Sequence, residues 1–184
     1  AELVKDAKAN PGKINYASSG NGSGQHLFAA MFASMAGINL THVPYKGSGQ
    51  ATNDLIAGVV PMAVPGSQAM VKHIEGGKLR ALATTGDTRA KALPNVPTLA
   101  ESGLKGYSAY VWMGLLAPKG TPKAIVDLLN REIKVALATP DVQGYFQRAG
   151  IELVASTPAE FGTYFREERD RWARVVKETG AKVD

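Results

Sequence analysis

Seven consecutive residues, Ser18, Ser19, Gly20, Asn21, Gly22, Ser23 and Gly24, place hydroxyls, an amide and three glycines between an apolar segment at 14–17 and a helical pattern reaching residue 36. That composition suits anion binding. Glycines let a ligand approach the backbone, and the first N–H groups of the following helix point outward with the positive end of its dipole behind them. Tyr45, Lys46, Gly47, Ser48 and Gly49 repeat the pattern after a second strand candidate. There Lys46 could supply charge and Tyr45 a hydroxyl, against the default of a solvated lysine and a packed tyrosine. Loops that follow the strands of a parallel sheet lie along one edge, so the two could converge on one ligand.

Other chemistries find less support in the same residues. Gly20-Asn21-Gly22 begins a dinucleotide fingerprint, but Ser23 or Gln25 stands where the third glycine belongs, and Asn39, Leu40 and Thr41 stand where an acid would hold the ribose. Lys46-Gly47-Ser48 has the wrong order for a phosphate-binding Walker loop. Gly22-Ser23-Gly24 has glycines adjacent to the serine rather than two away, unlike a nucleophile elbow. His26, His42 and His73 fall on separate elements without metal-ligand spacing, and His26, near a helix start, is expected to be partly exposed. Asp54, Glu75 and Asp87 show no pairing for general acid and base work. No catalytic residue, metal site or cofactor is therefore expected.

The 184 residues suffice for a sizeable core, and 45% hydrophobic with 20% charged residues is ordinary for a globular chain. No run approaches the roughly 20 apolar residues of a membrane span. The start, Ala-Glu-Leu-Val-Lys-Asp, shows no basic segment followed by an apolar core. With zero cysteines, the sequence has no disulfide, no thiolate metal site and no cysteine nucleophile. A net charge of +5 favours anionic ligands mildly, but the basic residues are scattered among acids, unlike a nucleic-acid footprint.

The elements that must position these loops alternate. Glu2–Lys8 reads as a helix stopped at Asn10-Pro11-Gly12, because Pro11 disfavours helical geometry at Asn10. Ile14–Ala17 reads as a strand. A helix from Ser23 or Gly24 carries Leu27, Ala30, Met31 and Met35 at helical spacing, widened by Phe28 and Phe32, and ends at Gly37. Leu40–Pro44 is a second strand and Gln50–Ala57 a helix with Leu55 and Ile56 inward. Val59–Val64 is a third strand, Ser67–Glu75 a helix capped by Ser67, and Leu79–Thr84 a fourth strand. The alternation predicts an α/β fold with a largely parallel sheet.

Residues 86–107 form a long Pro- and Gly-punctuated loop with one short helical stretch at Thr98–Ser102, the kind that is functional or crosses between lobes. Strands follow at Ala109–Ala117 and Ile151–Ala155. Thr121-Pro122, Thr139-Pro140 and Thr157-Pro158 announce helices at 122–138, 140–149 and 158–179, with Thr as N-cap and Pro as first residue. Thr157 and Glu160 form a capping box. Tyr107, Tyr110, Trp112 and Trp172 read as core or crossing-segment aromatics.

Several longer stretches together resemble one family: residues 10–23 (NPGKINYASSGNGS), 42–48 (HVPYKGS), 77–83 (GKLRALA), 93–103 (LPNVPTLAESG) and 112–118 (WMGLLAP). In this order they resemble the Bug-type periplasmic solute receptors of tripartite tricarboxylate transporters, over essentially all 184 residues. The resemblance implies a type II periplasmic-binding-protein fold that closes two lobes on a small carboxylate and does no chemistry. Residues 1–107 would be the second, ligand-binding lobe, complete with its crossing segment, and 108–184 would contribute to the first lobe.

Ser18, Ser19, Gly20, Asn21, Gly22 and Ser23, with Tyr45, Lys46, Gly47 and Ser48, match the family's binding loops, which grip a carboxylate through backbone N–H and hydroxyl groups. The expected partners are a small mono- or dicarboxylate and membrane transporter subunits, with no nucleic acid. Two departures stand out. The family's N-terminal segment, with the first-lobe glycine loop, is not in this sequence, so the chain is expected to self-associate or to be part of a longer product. Family members often carry an acid after the third strand, where this chain has Val64-Pro65-Gly66-Ser67. The alternative is the effector-binding domain of a transcriptional regulator with the same two-lobed architecture.

Overall fold

The computed structural model describes residues 2–182. Helix α1 (Glu2–Ala9) leads into strand β1 (Asn15–Ser18), followed by α2 (Gly24–Ala36), β2 (Thr41–Pro44), α3 (Ser48–Ile56), β3 (Met62–Ala63) and α4 (Ser67–Glu75). Helices α5 (Lys123–Leu137), α6 (Pro140–Arg148) and α7 (Pro158–Thr179) complete the chain. The described chain divides into two compact units, one holding residues up to Val111 together with those from Ala173, the other Trp112–Trp172.

The first unit is built on a parallel three-stranded sheet of order β2-β1-β3. The chain passes from β1 to β2 on one side and then crosses to β3 on the other, so the direction of winding reverses at β1. Such a reversal opens a crevice beyond the carboxyl ends of the strands. Side chains alternate across β1. Ala17 faces α3 and joins Ala51 and Val60 in a small core, with Tyr45 and Ala63 packed against it. Tyr16 and Ser18 face the other way, toward α2. Phe28, Ala29, Met31 and Phe32 of α2 are buried, while Met35 is exposed, so the inward face is centred further toward Phe28 than the spacing predicts. Ala51, rather than Leu55 or Ile56, is the buried residue of α3.

Tyr107 is buried, and its hydroxyl donates to the Phe28 carbonyl at 2.8 Å, fastening the segment before the unit boundary to α2. The short helical stretch predicted at Thr98 is a single turn closed by reciprocal bonds. The Thr98 amide donates to Glu101 Oε2 at 2.7 Å, and the Glu101 amide to Thr98 Oγ1 at 3.0 Å. Arg89 grips the same carboxylate, and these donors, Arg89 first, hold its pKa below the usual range.

Three predicted strands form no ladder with any of the described residues. Leu79–Thr84 reduces to one bridge between Thr84 and Thr98, Ala109–Ala117 makes one backbone bond from Ala109 to Thr85, and Ile151–Ala155 is irregular, with Ala155 at φ 48°. A strand exists only where a neighbour accepts and donates along its length, which an apolar run cannot itself supply. β3 shrinks to two residues because the amides of Val59 and Val60 turn back onto Asp54 O and Pro61 has no N–H.

Helix starts also differ in detail. Gly66, not Ser67, caps α4, and Pro122, not Thr121, occupies the cap of α5. Thr139 caps α6 with Pro140 in its first turn, as the Thr-Pro pair predicts. In the second unit Trp112 meets Phe161, Tyr164 and Phe165 edge-on, at centroid separations of 5.7, 5.7 and 6.0 Å. Glu168 is buried between the Arg171 guanidinium and the Trp172 indole N–H.

Candidate functional site

The C-terminal end of β1 runs directly into residues 19–23, and that of β2 into Tyr45–Gly47. The structure puts these two loops side by side. The Tyr45 amide donates to Ser18 O at 3.0 Å, continuing the ladder one step beyond the strands. Gly20 has φ 135°, and a Cβ there would lie 3.3 Å from the Tyr45 carbonyl oxygen. Only glycine fits that approach without strain.

Each loop ends on a helix N-terminus. Ser23 caps α2, its hydroxyl accepting from the His26 amide at 3.3 Å. The amides of Gly24 and Gln25 lie in the first turn, where the helix itself supplies no acceptor. Gly47, at φ 126°, caps α3 with no side-chain bond, leaving Ser48 and Gly49 in the equivalent positions. Val64–Gly66 after β3 leads to the N-terminus of α4 at the same sheet edge. Helix starts gathered at one edge provide oriented N–H donors and positive potential for an anion.

The ten residues singled out by sequence divide by what they touch. Ser18 is fully buried, and its hydroxyl is engaged within the loop: Oγ accepts from the Gly20 amide at 3.1 Å, lies 3.1 Å from Gly20 O, and is 2.6 Å from His42 Nε2. The Tyr45 hydroxyl donates to Asp54 Oδ2 at 2.8 Å, and this bond is the largest cause of its raised pKa. Those two side chains build the loops. Ser19, Gly20, Asn21, Gly22 and Ser23 are partly accessible on the first loop, while Lys46 and Ser48 are exposed and Gly47 half-buried on the second.

Two histidines that sequence spacing set apart come together beneath the first loop. His42 is the register partner of Tyr16, so both project from the same sheet face, where α2 lays His26 on top. The His26 and His42 rings stack 3.8 Å apart at 5°, and Tyr16 stacks on His42 at 5.0 Å. His26 is 7% exposed, contrary to the partly exposed position expected near a helix start, because that end of α2 faces the sheet rather than solvent. Burial lowers the pKa of His26. His42 is lowered to about 4 by burial and then by His26, and burial pushes Tyr16 up to about 12. The clue available in sequence was the alternation of Tyr16 and Ser18 beside His42, which becomes informative only once the register is known.

The chain resembles known proteins in both sequence and fold. The sequence matches the profile of the family described as "Tripartite tricarboxylate transporter family receptor" over residues 1–181. It is 40% identical over 181 residues to Protein BugT of Bordetella pertussis, covering 98% of this chain and 56% of that protein. It is likewise 40% identical to a UPF0065 protein from the tcbD-tcbE intergenic region of Pseudomonas sp. strain P51, covering 96% of this chain and 53% of the relative. The chain thus spans a little over half the length of these two relatives.

Among solved structures, an R. palustris protein with adipate superimposes with a TM-score of 0.85 at 33% identity, covering 98% of this chain and 60% of that one. MatC from Rhodopseudomonas palustris with bound malate gives 0.77 at 28% identity, covering 95% and 60%. The periplasmic binding protein BugD gives 0.79 at 34%, covering 98% and 61%. By sequence and by its α/β periplasmic-binding-protein fold, the chain belongs to the tripartite tricarboxylate transporter receptor family.

Proposed function

We propose that the full-length protein is an extracytoplasmic, periplasmic receptor that captures a small mono- or dicarboxylate for a tripartite-type transporter and catalyses no reaction. The single observation that carries this reading is the side-by-side placement of the Ser18–Ser23 and Tyr45–Ser48 loops, each ending on a helix N-terminus at the sheet's carboxyl edge. In this reading the carboxylate is held by backbone N–H groups of both loops. Ser19, Asn21, Ser23 and Ser48 add side-chain donors, and Lys46 adds charge. Ser18 and the Tyr45 hydroxyl keep the loops in shape. Residues 1–107 form the ligand-binding lobe, and 108–184 contribute to the other. The adipate and malate found in two related structures are the chemical precedent.

A ligand that binds only the folded state raises the melting temperature. The full-length protein is therefore expected to melt higher with at least one member of a panel of mono- and dicarboxylates that includes adipate and malate. A melting point unmoved across a broad organic-acid panel would overturn the reading.

A further inference from the structure

His26 and His42 sit under the candidate loop, and each bonds to it. The Gly22 amide donates to His26 Nδ1 at 3.1 Å, so Nδ1 carries no hydrogen and the ring's proton is on Nε2. His42 Nε2 lies 2.6 Å from Ser18 Oγ, which in turn takes the Gly20 amide. Ser18, Gly20 and Gly22 are thus tied to two imidazoles that stack on each other. We propose that His26, stacked on His42, is a positioning residue that keeps the Ser18–Gly22 loop in its carboxylate-receiving shape only while its own ring is neutral, so that capture weakens on acidification.

The proton has one place to go. With Nε2 of His26 already protonated, uptake occurs at Nδ1 and turns the acceptor for Gly22 into a donor, so that two N–H groups face each other and the Gly22 amide must leave. A second cation on His42, 3.8 Å away, is opposed by the first. Among the described residues no acid is paired with either ring. The titratable groups facing the pair are Tyr16 from β1 and each ring from the other's element, and none of the described ion pairs includes either histidine. Helix α2 contains no Asp, Glu, Lys or Arg, and His26 lies in its first turn, where the helix dipole also disfavours a cation. Asp54, on α3, is engaged by Tyr45. Burial further favours the neutral rings.

This inference rests on the carboxylate reading for its consequence but not for its mechanism, and the experiment separates the two. On the full-length protein, NMR follows the Gly22 amide and the His26 ring from pH 7.5 to 4.5, while affinities for adipate and malate are measured over the same range in wild type and His26→Asn. The asparagine carbonyl can accept from Gly22 without titrating. The expected result is that the Gly22 amide moves with the His26 midpoint. Wild type should also lose at least about fivefold more affinity than His26→Asn between pH 7.5 and 5.0, a comparison in which the ligand's own protonation cancels. If neither probe binds at pH 7.5 but Gly22 and His26 titrate together, the carboxylate reading falls and the loop coupling stands. A Gly22 amide that ignores pH, or equal losses of affinity in the two proteins, overturns the proposal.

Discussion

Gly20 lies directly beneath the carbonyl of Tyr45, so close that a Cβ would approach that oxygen to 3.3 Å, and it does so with φ at 135°. Backbone atoms of the two candidate loops meet here, and the Tyr45 amide also donates to Ser18 O. Gly20→Ala combines a left-handed backbone with a tight contact, and is expected to destabilise the chain by about 1–3 kcal/mol. Urea unfolding reads this as a lower midpoint at an unchanged slope. A midpoint equal to wild type would show that the loops separate freely.

Both stacked imidazoles have pKa values lowered from the ordinary 6.5, His42 to about 4. A base depressed in the folded state binds fewer protons there than in the unfolded chain, so stability rises with pH across the interval between the two values. The contribution of the pair is therefore intact above pH 6.5 and declines as pH falls toward 4. Glu101 and Glu160 are lowered carboxylates, whose losses belong below their ordinary 4.5. Melting temperatures recorded from pH 7.5 to 4.5 should fall over that range; a flat profile would contradict the neutral stacked pair.

Tyr107, 1% exposed, donates its hydroxyl to Phe28 O from 79 residues away in sequence. Tyr107→Phe keeps the ring and deletes the bond, and should cost about 1 kcal/mol. Tyr107→Ala also leaves a cavity and should cost about 3–5 kcal/mol. Equal denaturation midpoints for wild type and the phenylalanine variant would mean that the bond adds nothing net.

The capping box at α7 is formed as its sequence predicts. The Thr157 amide donates to Glu160 Oε2 at 2.7 Å and the Glu160 amide to Thr157 Oγ1 at 3.2 Å. Thr157→Ala is expected to weaken this terminus by about 1 kcal/mol. Hydrogen exchange at the Phe161 amide, the first to bond back to Thr157 O, should quicken, with little change near Thr179. Unchanged exchange at Phe161 would argue against the cap.

Met113, Leu115, Leu116 and Val154 are exposed by 70–79%. Large apolar side chains displayed in this number favour association. The isolated 184-residue chain should scatter light with a mass above its 19.4 kDa monomer value at micromolar concentration. A monomer that binds no hydrophobic dye would refute this.

The sequence alone determined the features that obey local rules. The strand, glycine turn and helix around Ser18–Gly24, the helix stop at Gly37, the Thr157 box and the order of the first seven elements depend on residues within a few positions of one another. Only the tertiary structure decided the rest. Whether 79–84, 109–117 and 151–155 are strands depends on a partner distant in sequence, and here the partner is a single bridge, a single bond or none among the described residues. His26 and His42 became one stacked unit only because register pairs His42 with Tyr16 and α2 crosses that face. Ser18, which the sequence offers as a ligand-binding hydroxyl, is buried and bonded within its own loop for the same reason, since alternation along a strand fixes that side chains share a face but not what covers it.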